Sequence, residues 1–149
     1  AWIDRLVAGC TAAGAALYVA LTYTGGLAWS PADPYDGAVA RAVNRHQRGD
    51  KGFGPALGPH GTGHALARLR AAGYRLALGP SDWRLEPGDR ALQTMLVDGL
   101  AGAAAETAPR QAAAIAAWRG RRQALIETGR SRLRVTHIDL LGWPSGAAA

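Results

Sequence analysis

The sequence contains almost no cysteine and almost no lysine. Cys10 is the single cysteine among 149 residues, so no disulfide can form within the chain, which predicts a reducing, cytoplasmic location. No apolar stretch approaches the ~20 residues of a membrane-spanning helix, and we expect no membrane partner.

Lys51 is the only lysine among 17 basic residues. With so much alanine, glycine and arginine, the net charge of +6 indicates a GC-rich coding sequence more than a nucleic-acid site.

An apolar stretch from Ala15 to Tyr23 organises the rest of the chain. Turn residues bound it, and it is too short to favour a helix, so it predicts a strand. Because it shows no alternation, we expect burial on both faces, as in a parallel sheet covered by helices. A polar, glycine-rich segment follows at 44–54. Ligands of open α/β sheets bind beyond the carboxyl ends of the strands, so this segment is the predicted functional region.

Apolar spacing predicts the other elements of a single α/β domain. The predicted helices span 2–13, 35–48 and 64–72, a helical pair lies between 88 and 129, and the predicted later strands span 74–78 and 132–140. A helix between the first two strands predicts a parallel βαβ unit. Gly25 and Gly26 predict a tight turn and a short returning segment. Asp36 is predicted to cap the second helix.

Two finer predictions concern the end of the chain. In the helical pair, apolar residues at helical spacing are predicted to face inward: Leu92, Met95, Leu96 and Leu100 in the first helix, and Ile115, Trp118, Leu125 and Ile126 in the second. In the last strand, Leu133 alternates with Arg134, which predicts an edge strand over a half-exposed sheet. Three strands are few for such a sheet, so we expect the sequence to be part of a longer protein.

Four motifs occur in a fixed order along the chain. They are LTY at 21–23, NRHQR followed by DKGFGPALGP between 44 and 59, SDWRL at 81–85, and SRLRVTHIDLL at 131–141. With these motifs the chain resembles the C-terminal half of a class I S-adenosylmethionine-dependent methyltransferase. The resemblance implies strands five to seven of a Rossmann-like sheet, the seventh antiparallel. It also implies that the helical pair at 88–129 is an insertion before the last strand.

The resemblance implies S-adenosylmethionine as cofactor, but with its main site outside this chain. In the family, that site is a glycine-rich loop after the first strand and an acidic residue ending the second. Neither is present, so 1–149 would be a partial domain without cofactor-binding residues, and inactive alone. The Gly-x-Gly pairs at 52–54 and 61–63 do not directly follow strands. They are more typical of glycines that allow turns in ordinary loops than of a cofactor-binding loop.

The resemblance also implies that the segment after the fifth strand lines the substrate side. The candidate catalytic residues are Asp50 and His46, as bases, and Lys51, which could bind an acidic group. The candidate substrate-binding residues are Tyr23, Asn44, Arg48, Phe53, Asp82 and Trp83. Each has a structural alternative: a surface ion pair for Asp50 and Lys51, a packed helix histidine for His46, and a turn cap for Asp82.

Three functions compete. The first is methyl transfer to a small-molecule acceptor. The second is a basic RNA-binding module that uses six arginines: Arg119, Arg121, Arg122, Arg130, Arg132 and Arg134. The third is a non-catalytic remnant or partner subunit that pairs through the exposed edge of the 15–23 strand. His60 and His64 are four residues apart but lack a third ligand, so no metal site is predicted.

Overall fold

The structure is a computed structural model that describes residues 2–50, 52 and 54–146, with Leu21 described by its backbone only. It is a mixed α/β fold. The helices are α1 (Trp2–Ala13), α2 (Asp36–His46), α3 (Gly61–Ala71), α4 (Arg90–Thr107) and α5 (Ala112–Glu127). The strands are β1 (Leu17–Ser30), β2 (Tyr74–Pro80), β3 (Trp83–Leu85) and β4 (Arg132–Pro144). No described helix is long and apolar enough to cross a bilayer.

The described chain divides into two compact units. The first unit comprises residues 2–24, 59–81 and 137–146, and the second comprises 25–58 and 82–136, apart from the residues not described. Strands β1 and β4 each contribute residues to both units. The first unit holds α1, α3 and β2, whereas the second holds α2, α4, α5 and β3.

In the first unit, β4 lies between β1 and β2. β2 pairs with β4 in antiparallel register, with Tyr74 opposite Pro144 and Pro80 opposite Ile138. On the other side of β4, Tyr18 Oη donates to Asp139, and Thr22 Oγ1 donates to the carbonyl of Ile138. The later residue of β1 therefore lies beside the earlier residue of β4, which means that β1 also runs opposite to β4. β1 and β2 are therefore parallel in direction without pairing. The predicted parallel pairing is wrong because the last strand inserts between them.

The first strand has the edge position that we expected for the last strand, and the last strand has neighbours on both sides, as we expected for the first. β1 stands at one end of the strand order, with Tyr18 62% exposed and Ala20 also exposed, so the expected burial on both faces is wrong. β4, predicted as an edge strand, has neighbours on both sides. Its alternation is confirmed, since Leu133 is buried and Arg134 is exposed. Alternation reports which face of a strand is covered, and it carries no information about how many neighbours the strand has.

The glycine pair does not form the predicted turn. β1 continues through Gly25, which has a φ of +96°, and Gly26 to Ser30. The Gly26 N–H donates to Thr136 Oγ1 at 2.9 Å, and a Cβ at Gly26 would overlap the Thr136 side chain. The glycines therefore allow β1 to pass close to β4, and the prediction of a returning segment is wrong.

The core of the first unit is mainly aliphatic. Apolar side chains at helical spacing on α1 and α3 pack against the sheet, with Val7, Leu69 and Leu140 buried. Tyr74 is buried in the same cluster, and its hydroxyl donates to the Ala15 carbonyl at 2.7 Å. α1 has the bounds that its sequence predicts, since its apolar face faces this cluster.

The second unit is built on α4, which packs against both α2 and α5. The predicted helical pair is confirmed, but the predicted inward face of α4 is wrong for Leu92 and Met95, which are 41% and 71% exposed, whereas Leu96 and Leu100 are half-buried. The buried residues of α4 are Gln93, Val97, Ala101 and Ala104. Two of these four residues are alanines, whose small side chains let a neighbouring helix approach closely.

Candidate functional site

Most of the predicted site residues lie in the second unit, at the end of α2 and in the loop after it. α2 forms because Val39, Ala42 and Val43 recur at helical spacing and are buried. The helix ends at His46, and the Gln47 N–H donates to the Val43 carbonyl at 2.9 Å. The predicted residues of the second unit are Asn44, His46, Arg48, Asp50, Asp82 and Trp83. The predicted residues Lys51 and Phe53 lie outside the described residues.

Asn44 is tied to the strand that precedes it. Its Nδ2 donates to the Gly25 carbonyl at 3.0 Å. This bond links the last turn of α2 to the glycine of β1 that has a positive φ. Asn44 thus fixes where the end of α2 lies, and its predicted contact with substrate stays a prediction.

His46 is paired with a carboxylate from α4. Its Nε2 lies 2.8 Å from Glu106 Oε2, and the two side chains are 24% and 73% exposed. A carboxylate beside an imidazole orients the ring, which is a recurrent arrangement in general acid–base catalysis. The sequence did not predict Glu106, because the pair joins residues 60 positions apart.

Asp50 organises the loop in which it lies. Its Oδ1 accepts the N–H groups of Gly52 and Gly54 at 2.7 Å and 2.9 Å. Both glycines have positive φ angles, 95° and 86°, which other residues rarely adopt. This Gly-x-Gly pair therefore closes an aspartate-centred turn. The predicted surface pair of Asp50 with Lys51 lies outside the described residues, and a base role would use Oδ2.

Asp82 and Trp83 lie at the start of β3. The Asp82 carboxylate accepts from Arg134 Nε at 2.7 Å, and its side chain is only 8% exposed. Trp83 is half-buried and stands opposite Val135 in the antiparallel pair of β3 and β4. The predicted placement of the Asp82 carboxylate beside an aromatic wall stays a prediction, and Arg134 holds that carboxylate in an ion pair.

Tyr23 belongs to the first unit and is described apart from the others. Its ring lies 6.0 Å from that of His137, at an angle of 57°. Burial raises the pKa of Tyr23 to about 12. The phenol is therefore neutral at physiological pH, where it can donate or accept a hydrogen bond but does not supply a base.

The second unit also contains an open depression of about 240 Å³. Besides Trp29, Leu85 and Leu133, its lining residues are Ala28, Ser30, Arg84, Glu86, Arg132 and Arg134. Arg132 forms an ion pair with Glu86, and Arg134 forms one with Asp82. The alternation of Arg132, Leu133 and Arg134 was the available sequence signal for this site, but the short strand carrying Arg84 was not predicted.

Five arginines of the predicted RNA-binding set form ion pairs within the second unit: Arg132 and Arg134, as described above, and Arg119, Arg121 and Arg122. Arg119 pairs with Asp98 at 2.7 Å, and Arg121 pairs with Asp33 at 2.6 Å. Each arginine hydrogen-bonds its aspartate and holds the pKa of that carboxyl below its usual value. Arg122 is fully buried and bound to Asp36.

Arg122 is the centre of a polar network inside the second unit. Its Nη1 donates to the Pro31 carbonyl at 2.7 Å, and its guanidinium lies 5.2 Å from the Trp29 ring centroid. Trp118 Nε1 donates to Asp36 Oδ1 at 2.8 Å. Asp36 is therefore the acceptor for two buried donors. It makes no side-chain cap of α2, so the predicted cap is wrong.

The described residues do not fit the S-adenosylmethionine site that the resemblance implies. The glycines at 52 and 54 serve the Asp50 turn. Gly61 and Gly63 lie in the first turn of α3, and a Cβ at either would meet nothing within 4 Å, so no close backbone approach requires them. Among the described residues, no three metal-ligating side chains cluster.

The comparisons with known proteins add no relatives. No protein-family model matches the chain, and no curated protein is significantly similar to it.

Proposed function

We propose that the chain supplies the substrate-side part of an S-adenosylmethionine-dependent methyltransferase that acts on a small molecule. The supporting observation is the strand arrangement of the first unit. β1 and β2 run in one direction, and the last strand, β4, runs against both. An antiparallel last strand is what the resemblance implies, and the helical pair α4–α5 precedes it.

In this proposal the end of α2 and its loop handle the acceptor. An acceptor O–H or N–H must lose its proton when the new bond forms, so a base within hydrogen-bond reach speeds the reaction. His46, oriented by Glu106, is the best-placed candidate, and Asp50 is the second. Asn44 holds this segment against Gly25, which limits the movement of both bases.

The cofactor site would be contributed by residues outside the described ones. β1 is at the end of the strand order, and its one described neighbour is β4, so its other edge can accept a further strand. A sheet continued from this edge could carry the glycine-rich loop and the acidic residue that the described residues lack.

The test is a calorimetric titration of S-adenosylhomocysteine into this chain and into a longer protein that includes any upstream sequence. We expect no heat from the chain and saturable one-to-one binding by the longer protein. One-to-one binding by the chain alone would overturn the placement of the cofactor site. Absence of binding to both would overturn the proposed function.

The role of His46 is tested in the longer protein. His46→Gln should lower kcat by about 10²- to 10⁴-fold, the usual contribution of a general base, with a smaller effect on KM. His60→Gln is the matched control, since that histidine is exposed at the start of α3. Equal activities of the two variants would remove His46 from the mechanism.

A second candidate function is that of a partner subunit, favoured by the same β1 edge. In that case the chain would form a defined complex through β1 without binding S-adenosylhomocysteine. The titration of S-adenosylhomocysteine into the longer protein distinguishes the two functions. Sedimentation of the purified chain shows whether β1 makes the contact: a stable dimer that is lost on Val19→Pro substitution would support edge pairing. The RNA-binding alternative is less favoured, because Arg119, Arg121 and Arg122 are held by aspartates.

A further inference from the structure

The depression in the second unit carries three arginines on one face of its sheet. β3 pairs with β4 so that Arg84 stands opposite Arg134 and Leu85 stands opposite Leu133. Both leucines are buried, so the two arginines share the opposite face. Arg132, two residues before Arg134, lies on that face as well. Ala28 and Ser30 of β1 also line the depression.

The charges on this face are incompletely balanced. Two like charges directly opposite in an antiparallel pair destabilise the sheet. Asp82 forms an ion pair with Arg134, and Glu86 forms one with Arg132, and both arginines remain half-exposed. Among the described residues, none forms an ion pair with Arg84. Three guanidiniums and two carboxylates leave one positive charge at an antiparallel Arg–Arg pair.

We propose that this depression binds an oxyanion, the phosphate or carboxylate group of a small molecule, against Arg84 and Arg134. The Arg84 guanidinium presents two parallel N–H donors that match the oxygens of either group, and Arg134, whose Nε and Nη2 are held by Asp82, adds the donors of its Nη1. The bound anion would remove the repulsion between the facing arginines. The volume of about 240 Å³ is below the roughly 300–1,000 Å³ of sites that enclose drug-sized ligands, so the site takes one small anionic group. This proposal stands independently of the methyltransferase proposal.

The first test uses inorganic phosphate and acetate as probes at low ionic strength, with thermal unfolding and calorimetry as readouts. We expect saturable stabilisation by at least one probe, and the tighter of the two identifies the group. Arg84→Gln should weaken binding about tenfold or more, as expected for lost charge-assisted hydrogen bonds. Arg110→Gln removes the same charge from an exposed residue of the turn before α5 and should change affinity less than twofold.

A second readout separates an anion site from a merely structural arginine. Without added anion, Arg84→Gln should raise the Tm, because the substitution removes the repulsion from Arg134. An arginine that stabilised the fold by itself would instead lower the Tm when replaced. A lower Tm, unchanged affinity in Arg84→Gln, or no binding of either probe would overturn the proposal.

A third experiment tests whether the depression binds a nucleic acid and not a small anion. A twelve-nucleotide uridine oligomer should bind no more tightly than a single phosphate group allows. The slope of log affinity against log salt should then be near −0.7, the value for one single-strand phosphate contact. Much tighter binding with a steep slope would assign the arginines to a nucleic-acid surface and overturn the small-molecule site.

Discussion

The two units share β1 and β4 but are stabilised by different interactions. In the first unit, the buried cluster consists of aliphatic side chains and one tyrosine, with Leu69 and Leu140 fully buried. In the second unit, Trp29 and Trp118 pack edge to face at 5.4 Å around the buried Arg122. An aliphatic core tolerates shape-conserving changes, whereas a buried ion pair requires both of its partners.

The second unit places arginines that are neighbours in sequence in different environments. Arg122 is one of 17 basic residues, and its sequence neighbours Arg119 and Arg121 are on the surface. Nothing in the local sequence separates the buried arginine from the exposed ones. Its environment comes from Asp36, 86 positions away.

Replacing the buried arginine should have the largest effect. Arg122→Met should lower the free energy of unfolding by about 3–5 kcal/mol, because Asp36 then keeps a poorly compensated charge. Arg121→Met is the matched control: its guanidinium is 52% exposed. It should cost at most about 1 kcal/mol. Urea unfolding measures both, and equal losses would show that the buried network is no more important than a surface pair.

Truncating the aliphatic core should have the next largest effect. Leu69→Ala should cost about 2–5 kcal/mol, since it leaves a cavity beside Val7 and Leu140. Leu78→Ala, at a β2 residue that is 49% exposed, should cost much less. Urea unfolding of both variants checks the ratio. If Leu78→Ala were the more damaging, the described cluster would not be the core of the first unit.

The first unit should lose stability in alkali. Burial raises the pKa of Tyr23 to about 12, and the hydrogen bond to Asp139 raises the pKa of Tyr18. In the unfolded chain both phenols ionise near pH 10. Between about pH 10 and 12 only the unfolded state loses the Tyr23 proton, so stability falls as pH rises. Absorbance at 295 nm and circular dichroism should show this fall, which should be weaker in Tyr23→Phe.

The second unit should show the opposite dependence, with a small effect in acid. Arg121, together with the Tyr35 N–H, lowers the pKa of Asp33. As pH falls below about 4, the unfolded carboxyl binds its proton first, so the stability contributed by Asp33 is lost. Urea unfolding at pH 5 and pH 2 should show a loss in wild type that exceeds that in Asp33→Asn by less than about 1 kcal/mol. Identical losses would contradict a stabilising role of this pair.

The sequence predicted elements better than it predicted neighbours. The bounds of α1 follow from its apolar spacing, and β2 begins at the predicted Tyr74. The place of β4 between β1 and β2 was not predictable, because strand order depends on contacts between distant segments. The buried face of α4 was misassigned because Gln93 is buried, where its Nε2 donates to the carbonyls of Glu86 and Ser131.

The sequence predicted the segment that contains the candidate site, but it did not predict which distant residues contact that segment. Asn44, His46 and Asp50 stand out as polar residues after an apolar strand. Their partners come from elsewhere in the fold: Glu106 lies on α4, and Gly25 lies within β1. The facing pair of Arg84 and Arg134 required the register of two strands, one of which has only three residues.

The edge position of β1 has a consequence for handling the protein. Its 14 residues contain no charged side chain and no proline, the two features that most often prevent an edge strand from pairing with other molecules. Gly25 and Gly26 are the only interruptions of its β-forming sequence. In concentrated solution we therefore expect slow self-association along β1. A single lysine in place of exposed Tyr18 or Ala20 should keep the isolated chain dispersed during purification.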